Sequence, residues 1–449
     1  MNAIKGRAFA VLLVLASACV SATTPSTEAQ LAFPEALGYG KYTVGGRGGR
    51  VIVVDSLEDS EKAKPGTLRY AVKAKGPRIV VFNVSGVIDL VKPLEIKEDF
   101  ITIAGQTSPR GIVVSGSETQ IDADQVIIRY LRFRPGSANH QGDAVTGKRR
   151  SDIIIDHCSM SWANDEVASF YNNTNFTLQY SIISESLNKA GHKKGDHGYG
   201  GIWGGQRASF IANVMAHHTS RNPRINGYRL KPNYEPGAEL VEIRNNVIYN
   251  WSSNSTYGNE GGRVNLVNNT YKVGPAKGES RFFQINFPDG SSDLGQMFIA
   301  NNLMPSEQAK STDNTLGVEF KNDKSMTKTQ IIQLKSEILV NKPFTDKSFI
   351  LNDPNVPAPL SYQQLIIDKE VGANRIREGY FQDSVDQRIL TEVEQGSATY
   401  QNGIIDSELQ VIGNWQNYAK EFNSTKPLQE LLETDPNTTQ LWIDKLGQF

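Results

Sequence analysis

Side chains able to act on an anionic substrate crowd into one window of this sequence. All six histidines lie between His140 and His218. The window also holds "QGDAVTG" with Asp143, "IIDHCSMSWANDE" with Asp156, Asp165 and Glu166, and "HKKGDHGYGGIWGG". It closes on "AHHTSRNPRING", where Arg221 and Arg224 bracket Pro223 just after the strand-like run "ASFIANVM". Clustered carboxylates form a hard-oxygen site suited to calcium. A calcium ion bridging them to a substrate carboxylate withdraws charge and acidifies the carbon beside it. A base must then take that proton, and loss of the 4-O-linked sugar completes a β-elimination. Arginine is a poor base at its usual pKa of about 12.5, so an arginine in that role needs calcium and neighbouring cations that favour its neutral form.

Each of these residues has a plainer reading. Arg221 and Arg224 could sit in structural ion pairs, and Asp143 follows a glycine where aspartate commonly shapes a turn. Asp156 reads as an inward, hydrogen-bonded residue. His217 and His218 are adjacent and point to opposite faces of a strand, which predicts one packed and one at the groove edge. No zinc-ligand spacing such as H-E-x-x-H appears. Trp203 offers an apolar face to a substrate wall. Arg132 and Arg134 share a strand face, to bind substrate carboxylates or brace a neighbouring coil.

Residues so far apart meet only if the chain coils. Short β-rich runs recur at "DFITIAG", "QVIIRYLRF", "SDIIIDHCSM", "NFTLQYSII", "ASFIANVM", "LVEIRNNVIY", "RVNLVNNTY" and "MFIANNLM", spaced by roughly 23 to 33 residues. Stacked with one strand per coil, they build a solenoid in which each coil buries its apolar face against its neighbours. Asn213, Asn245, Asn246, Asn268, Asn269, Asn301 and Asn302 recur late in the runs, placed for a side-chain ladder at a coil corner. "PGTLRYAVKAKGP" reads as a short helix capping the open end. After about residue 305 the repeats fade into amphipathic helices, "LSYQQLIIDKEV" and "VDQRILTEVEQG", and a similar tail from Leu428. These divisions predict a β-helix over 23–305 and a C-terminal extension, 306–449, packed along it.

Residues 1–22 read as a secretory signal, with Lys5 and Arg7 before a short apolar core. "VSA" before Thr23 suits ordinary cleavage, and "ASAC" suits a lipoprotein signal that would lipidate Cys19. The product would be secreted or periplasmic, or tethered to the outer membrane. Cys158 is then the one body cysteine, so no disulfide framework forms and it reads as a small buried hydrophobe. The net charge of −1 lacks the basic footprint of a nucleic-acid binder. No transmembrane span is read, and the chain is read as a monomer.

Together "HHTSRNPRING…VEIRNNVIYNW", "SDIIIDHCSMSW", "FPEALGYGKYTVGGRGG", "GTLRYAV", "ITIAGQTSP" and "VIIRYLRFRPG" resemble polysaccharide lyase family 1, the pectate lyases, in a bacterial branch. The resemblance covers most of residues 31 to 305. It implies a right-handed parallel β-helix, a single-stranded solenoid, with Ca2+-dependent cleavage of polygalacturonate. By position it implies that Arg221 is the catalytic arginine. Asp143 is the implied calcium ligand, with Asp165 and Glu166 near the next acidic ligands. Where the family has a second substrate-binding arginine this chain has Asn226, and Arg224 or Arg229 would substitute. The family's substrate lysine falls at Lys189, Lys193 or Lys194. A glycoside hydrolase on the same solenoid, a lyase for another polyuronate or pectin, and a non-catalytic glycan-binding solenoid are the alternatives.

Overall fold

The computed structural model describes residues 29–137, 141–235, 237–287, 294–321, 326–349, 351–377, 379–424, 440 and 443–444. The expected signal segment with Cys19, His140 and most of the tail from Leu428 lie outside the described residues. Most of the recurring runs are a strand, a sharp corner and a second strand. "SDIIIDHCSM", for example, becomes Ser151–Asp156 and Ser159–Ser161. A third strand follows after a loop, here the first half of Ala168–Gln179. Stacking of equivalent strands gives three parallel sheets: sheet 1 from Arg50–Val54 to Gln296–Ala300, sheet 2 from Leu94–Ile96 to Val318–Phe320, and sheet 3 from Gly86–Asp89 to Thr270–Lys272. The expected parallel β-helix is formed, with three strands per coil instead of one. The extra strands are mostly two to five residues long, too short for their alternation to stand out in sequence.

The corner between sheets 1 and 3 explains the run pattern. Tyr130, His157, Tyr180, Ala212, Asn245, Asn268 and Asn301 all take positive φ there, which turns the chain sharply. The rings of Tyr130, His157 and Tyr180 stack along the axis, each 4.9 Å from the next. One residue later, Asn213, Asn246, Asn269 and Asn302 donate amide to carbonyl from coil to coil, and Asn314 ends the series. The Asn-Asn pairs therefore divide the labour. The first residue supplies the left-handed turn that asparagine tolerates. The second supplies the ladder.

Inward residues such as Ile153, Ile155, Phe176, Leu178, Ile243 and Leu266 fill the solenoid and are fully buried. Helix Leu68–Lys73, capped by Thr67, closes one end with Leu68, Ala71 and Val72 in that core. The segment around Phe33 covers sheet 1, with the Arg129 guanidinium 3.7 Å from the Phe33 ring centre. Asp156 accepts from Arg129 and Gln179 and pairs with His157. Its role is structural as expected, but it shares the outer face with Ile154, which packs under this segment. Cys158 is fully buried.

Helix Ser384–Gln395 lies on sheet 3, packing Ile389, Leu390 and Val393 against Val214, Ala216, Val247 and Tyr249. Asp383 caps its N-terminus. Arg132 and Arg134 do not reach a groove. Both are buried under this helix, where Arg132 donates to Asp383 and Arg134 to Asp383 and Asp386. Arg134 also donates to Ser161 of the next coil. Buried charges require such pairing, and the sequence alone could not show that the acids would come from 250 residues downstream. No helix among the described residues is long and apolar enough to cross a membrane.

Candidate active site

The loops leading from sheet 3 into sheet 2 carry the candidate site. Glu118, Asp143, Glu166, Tyr199 and Arg221 each lie one to three residues before a sheet 2 strand: Thr119–Ile121, Val145–Lys148, Ala168–Gln179, Ile202–Ile211 and Arg224–Ile225. They therefore occupy one edge of successive coils. Parallel bridges Glu166–Tyr199 and Tyr199–Ser220 hold three of these coils in register. Arg221 takes positive φ, and its carbonyl accepts from Gly201 N–H at 2.9 Å. A Cβ at Gly200 would lie 2.5 Å from that same oxygen, so glycine permits the close approach. Arg221 then lies across the Tyr199 ring, 4.4 Å from its centre, and its guanidinium pairs with Glu166 two coils away.

The acids crowd. One oxygen each from Asp143, Asp165 and Glu166 lie within 4.8 Å of one another. Asp143 accepts from the Glu166 backbone N–H at 3.1 Å. Burial, and then the Asp165 carboxylate, push the Asp143 carboxyl up to about 7. Burial and the neighbouring Asp143 also raise the Glu118 carboxyl. Like charges held this close favour protonation or a bound cation. An all-oxygen set of carboxylates fits a hard divalent ion such as calcium, so these residues could hold the ion implied by the resemblance.

Two more arginines follow Arg221 along the chain. Arg224 is buried, donates to Glu260 at 2.5 Å and lies 5.0 Å from the Tyr257 ring centre. Arg229 stands at the exposed rim, within electrostatic reach of Arg224, Glu260 and Arg221. Lys193 and Lys194 are exposed on the turn between His192 and Gly195, with no ion-pair partner among the described residues. Lys189 is exposed as well, its backbone N–H held by Asp406.

Two expectations fail here. Neither His217 nor His218 edges a groove. His218 points into the solenoid and bonds Ser186 and the Ile183 carbonyl, and burial lowers its imidazole to about 3. His217 faces outward, but Glu392 of the covering helix meets it at 2.9 Å. Trp203 is no substrate wall either. Its ring is buried, stacked 4.2 Å from Phe210, and bonded to the Ala168 carbonyl. Glu118, Tyr199, Tyr257 and Glu260 went unremarked in the sequence. Counting back from each sheet 2 strand would have found Tyr199, which shares the position of Asp143 and Glu166, and Glu118, one residue nearer its strand.

No family model matches the chain. It is 32% identical over 382 residues to a protein of Aspergillus flavus named "Probable pectate lyase C", covering 82% of this chain and 78% of that one. Its identity to the Aspergillus fumigatus protein of the same name is 31% over 439 residues, covering 93% and 91%. Among solved structures, a pectate lyase described for its substrate specificity and anti β-elimination mechanism matches with a TM-score of 0.50 at 15% identity, over 77% of this chain and 98% of that one. That likeness concerns the fold. With sequence identity above 30% along most of its length, the chain belongs to the pectate lyase family of polysaccharide lyases.

Proposed function

We propose that this protein is a calcium-dependent pectate lyase that cleaves the α-1,4-linked galacturonan of polygalacturonate by β-elimination, releasing unsaturated oligogalacturonides. The observation that carries the reading is Arg221 laid over Tyr199 at the edge of the Asp143, Asp165 and Glu166 cluster. Bound there, calcium would neutralise a substrate carboxylate and acidify the adjacent C–H. Asp143, Asp165 and Glu166 are its ligands in this reading. Arg221 takes the C–H proton, after which the C–O bond to the departing sugar breaks and that oxygen is protonated. Arg224, Arg229, Lys193 and Lys194 hold further substrate carboxylates; arginine suits this because its planar fork matches a carboxylate. The enzyme acts as a secreted or periplasmic monomer.

Hydrolysis fits less well. A carboxylate pair for glycoside hydrolysis stands about 5–5.5 Å apart in retaining enzymes and about 6.5–9.5 Å apart in inverting ones. Either mechanism leaves Arg221, paired with Glu166 and laid over Tyr199, without a task. The test is ultraviolet absorbance of the unsaturated product on polygalacturonate, with calcium and with chelator. Wild type should show calcium-dependent absorbance, and Arg221→Ala should lose about 10²–10⁴-fold in rate, the usual worth of a positioned base. New reducing ends without absorbance would sink the proposal in favour of hydrolysis.

A further inference from the structure

Asp165 faces two ways. On one side it meets Asp143 and Glu166. On the other it meets two imidazoles: Nε2 of His197 lies 3.4 Å from its Oδ1, and Nε2 of His192 lies 3.7 Å from its Oδ2. Both histidine side chains are nearly closed to solvent, at 6% and 2% exposed, whereas Asp165 keeps 20%. The two rings are 3.9 Å apart. Nδ1 of His197 lies 3.0 Å from the Gly195 carbonyl. A carbonyl only accepts, so it fixes the proton on Nδ1 and aims the Nε2 lone pair at a carboxylate oxygen. Nε2 of His197 and the carboxylate meet across a positive charge, either a second proton on the imidazole or a bound cation.

We propose that Asp165, His192 and His197 form a site for a divalent first-row metal of the zinc class, separate from the all-oxygen set but sharing Asp165. Two imidazoles and a carboxylate are a donor set such ions favour, with a solvent-side position left for water. Donors around a tetrahedral ion with bonds of about 2.1 Å stand roughly 3.4 Å apart, close to the spacings found here. The carbonyl-held Nδ1 of His197 is the usual way of orienting a ligating imidazole. Nδ1 of His192 instead accepts from Lys194 N–H at 3.2 Å. Coordination through Nε2 uses its other tautomer and releases that N–H, on an exposed turn, to water. The ion would pin this turn, which carries Lys193 and Lys194 and leads to Tyr199, onto the coil of Asp165. None of this depends on the proposed reaction.

The experiment uses untagged protein stripped of metal by chelation and dialysis. Zn2+ binding is followed by calorimetry, and Co2+ binding by visible absorption. Wild type should bind one equivalent with a tetrahedral Co2+ spectrum. His192→Ala and His197→Ala should each weaken binding by more than the roughly tenfold cost of losing a group that merely orients a ligand. His197→Cys keeps a ligand, so it should retain the metal and add a thiolate-to-cobalt charge-transfer band. That band also guards against misfolded alanine variants. Absence of stoichiometric Zn2+ binding in wild type, or unchanged affinity in both alanine variants, would overturn the proposal whatever the outcome on polygalacturonate.

Discussion

Asp383→Asn should unfasten the C-terminal helix while leaving the solenoid intact. Asp383 is fully buried and accepts from Arg132 and Arg134, as well as from the backbone N–H groups of Val385 and Asp386 at the start of helix Ser384–Gln395. Asparagine keeps the capping oxygen but removes the charge. Its amide nitrogen would also face the Arg132 donor. Breaking a buried ion pair from one side costs about 3–5 kcal/mol. Against this, Val385, Ile389, Leu390 and Val393 are buried, each worth roughly 1.5–3 kcal/mol, so the helix stays docked but opens more often. At about 1.4 kcal/mol per decade, hydrogen exchange over residues 384–395 should speed up by roughly two to almost four orders of magnitude. Exchange in strand Ser151–Asp156 should not follow. The pH dependence has a definite sign. The two arginines hold the Asp383 carboxyl well below its ordinary value. Its contribution is complete above the unfolded carboxylate pKa of about 3.9 and fades as pH falls below it. Wild-type protection should therefore drop in that acid range, and the variant should lack this limb. A change under about threefold at 384–395, or equal acceleration along the whole chain, would refute the latch.

Two further outcomes follow from the site and its surroundings. Tyr199→Leu removes the ring beneath Arg221 and should lower kcat/KM on polygalacturonate by about 2- to 30-fold, the range of a cation–π contact worth roughly 0.5–2 kcal/mol; Tyr199→Phe should keep most of it, and equal losses in both would assign the effect to the hydroxyl. Glu239, which accepts from Tyr234 and Gly227 N–H, is raised to about 8, chiefly by burial. Its folded state keeps the proton longer than the unfolded one, so it lowers stability as pH rises from about 4.5 to about 8. Glu239→Gln should flatten that slope in Tm, and a Tm deficit as large at pH 9 as at pH 5 would count against this account.

The solenoid was legible because each run carries its own signals. "LVEIRNNVIY" displays the alternation of one strand, the corner and the ladder asparagine in ten residues. The third strand was not legible, since Arg224–Ile225 and its neighbours are too short to show a period. Of the site, Asp143, Asp165, Glu166 and Arg221 do converge, because loops at one edge of consecutive coils must be neighbours. What escaped depends on covering segments. His217 faces outward as alternation requires, yet Glu392 buries it. Arg132 and Arg134 look like a charged face until Asp383 closes over them. Partners supplied from far along the chain leave no local trace in the sequence.

The corner ladder also bears on how such a molecule could grow. Every coil from Asn213 to Asn302 presents the same amide to the coil before and the coil after. A duplicated coil entering that stretch would find its acceptor and donor waiting, and each existing amide would keep a partner. The earlier coils offer no such interchange, because Leu131, Cys158 and Ser181, three unlike residues, stand where the later coils have the ladder asparagine. The chain thus joins a half that tolerates copying to a half that does not. The acids lie in the second and Arg221 at the start of the first, so lengthening by repetition can extend the groove beyond Arg221 without parting it from Glu166.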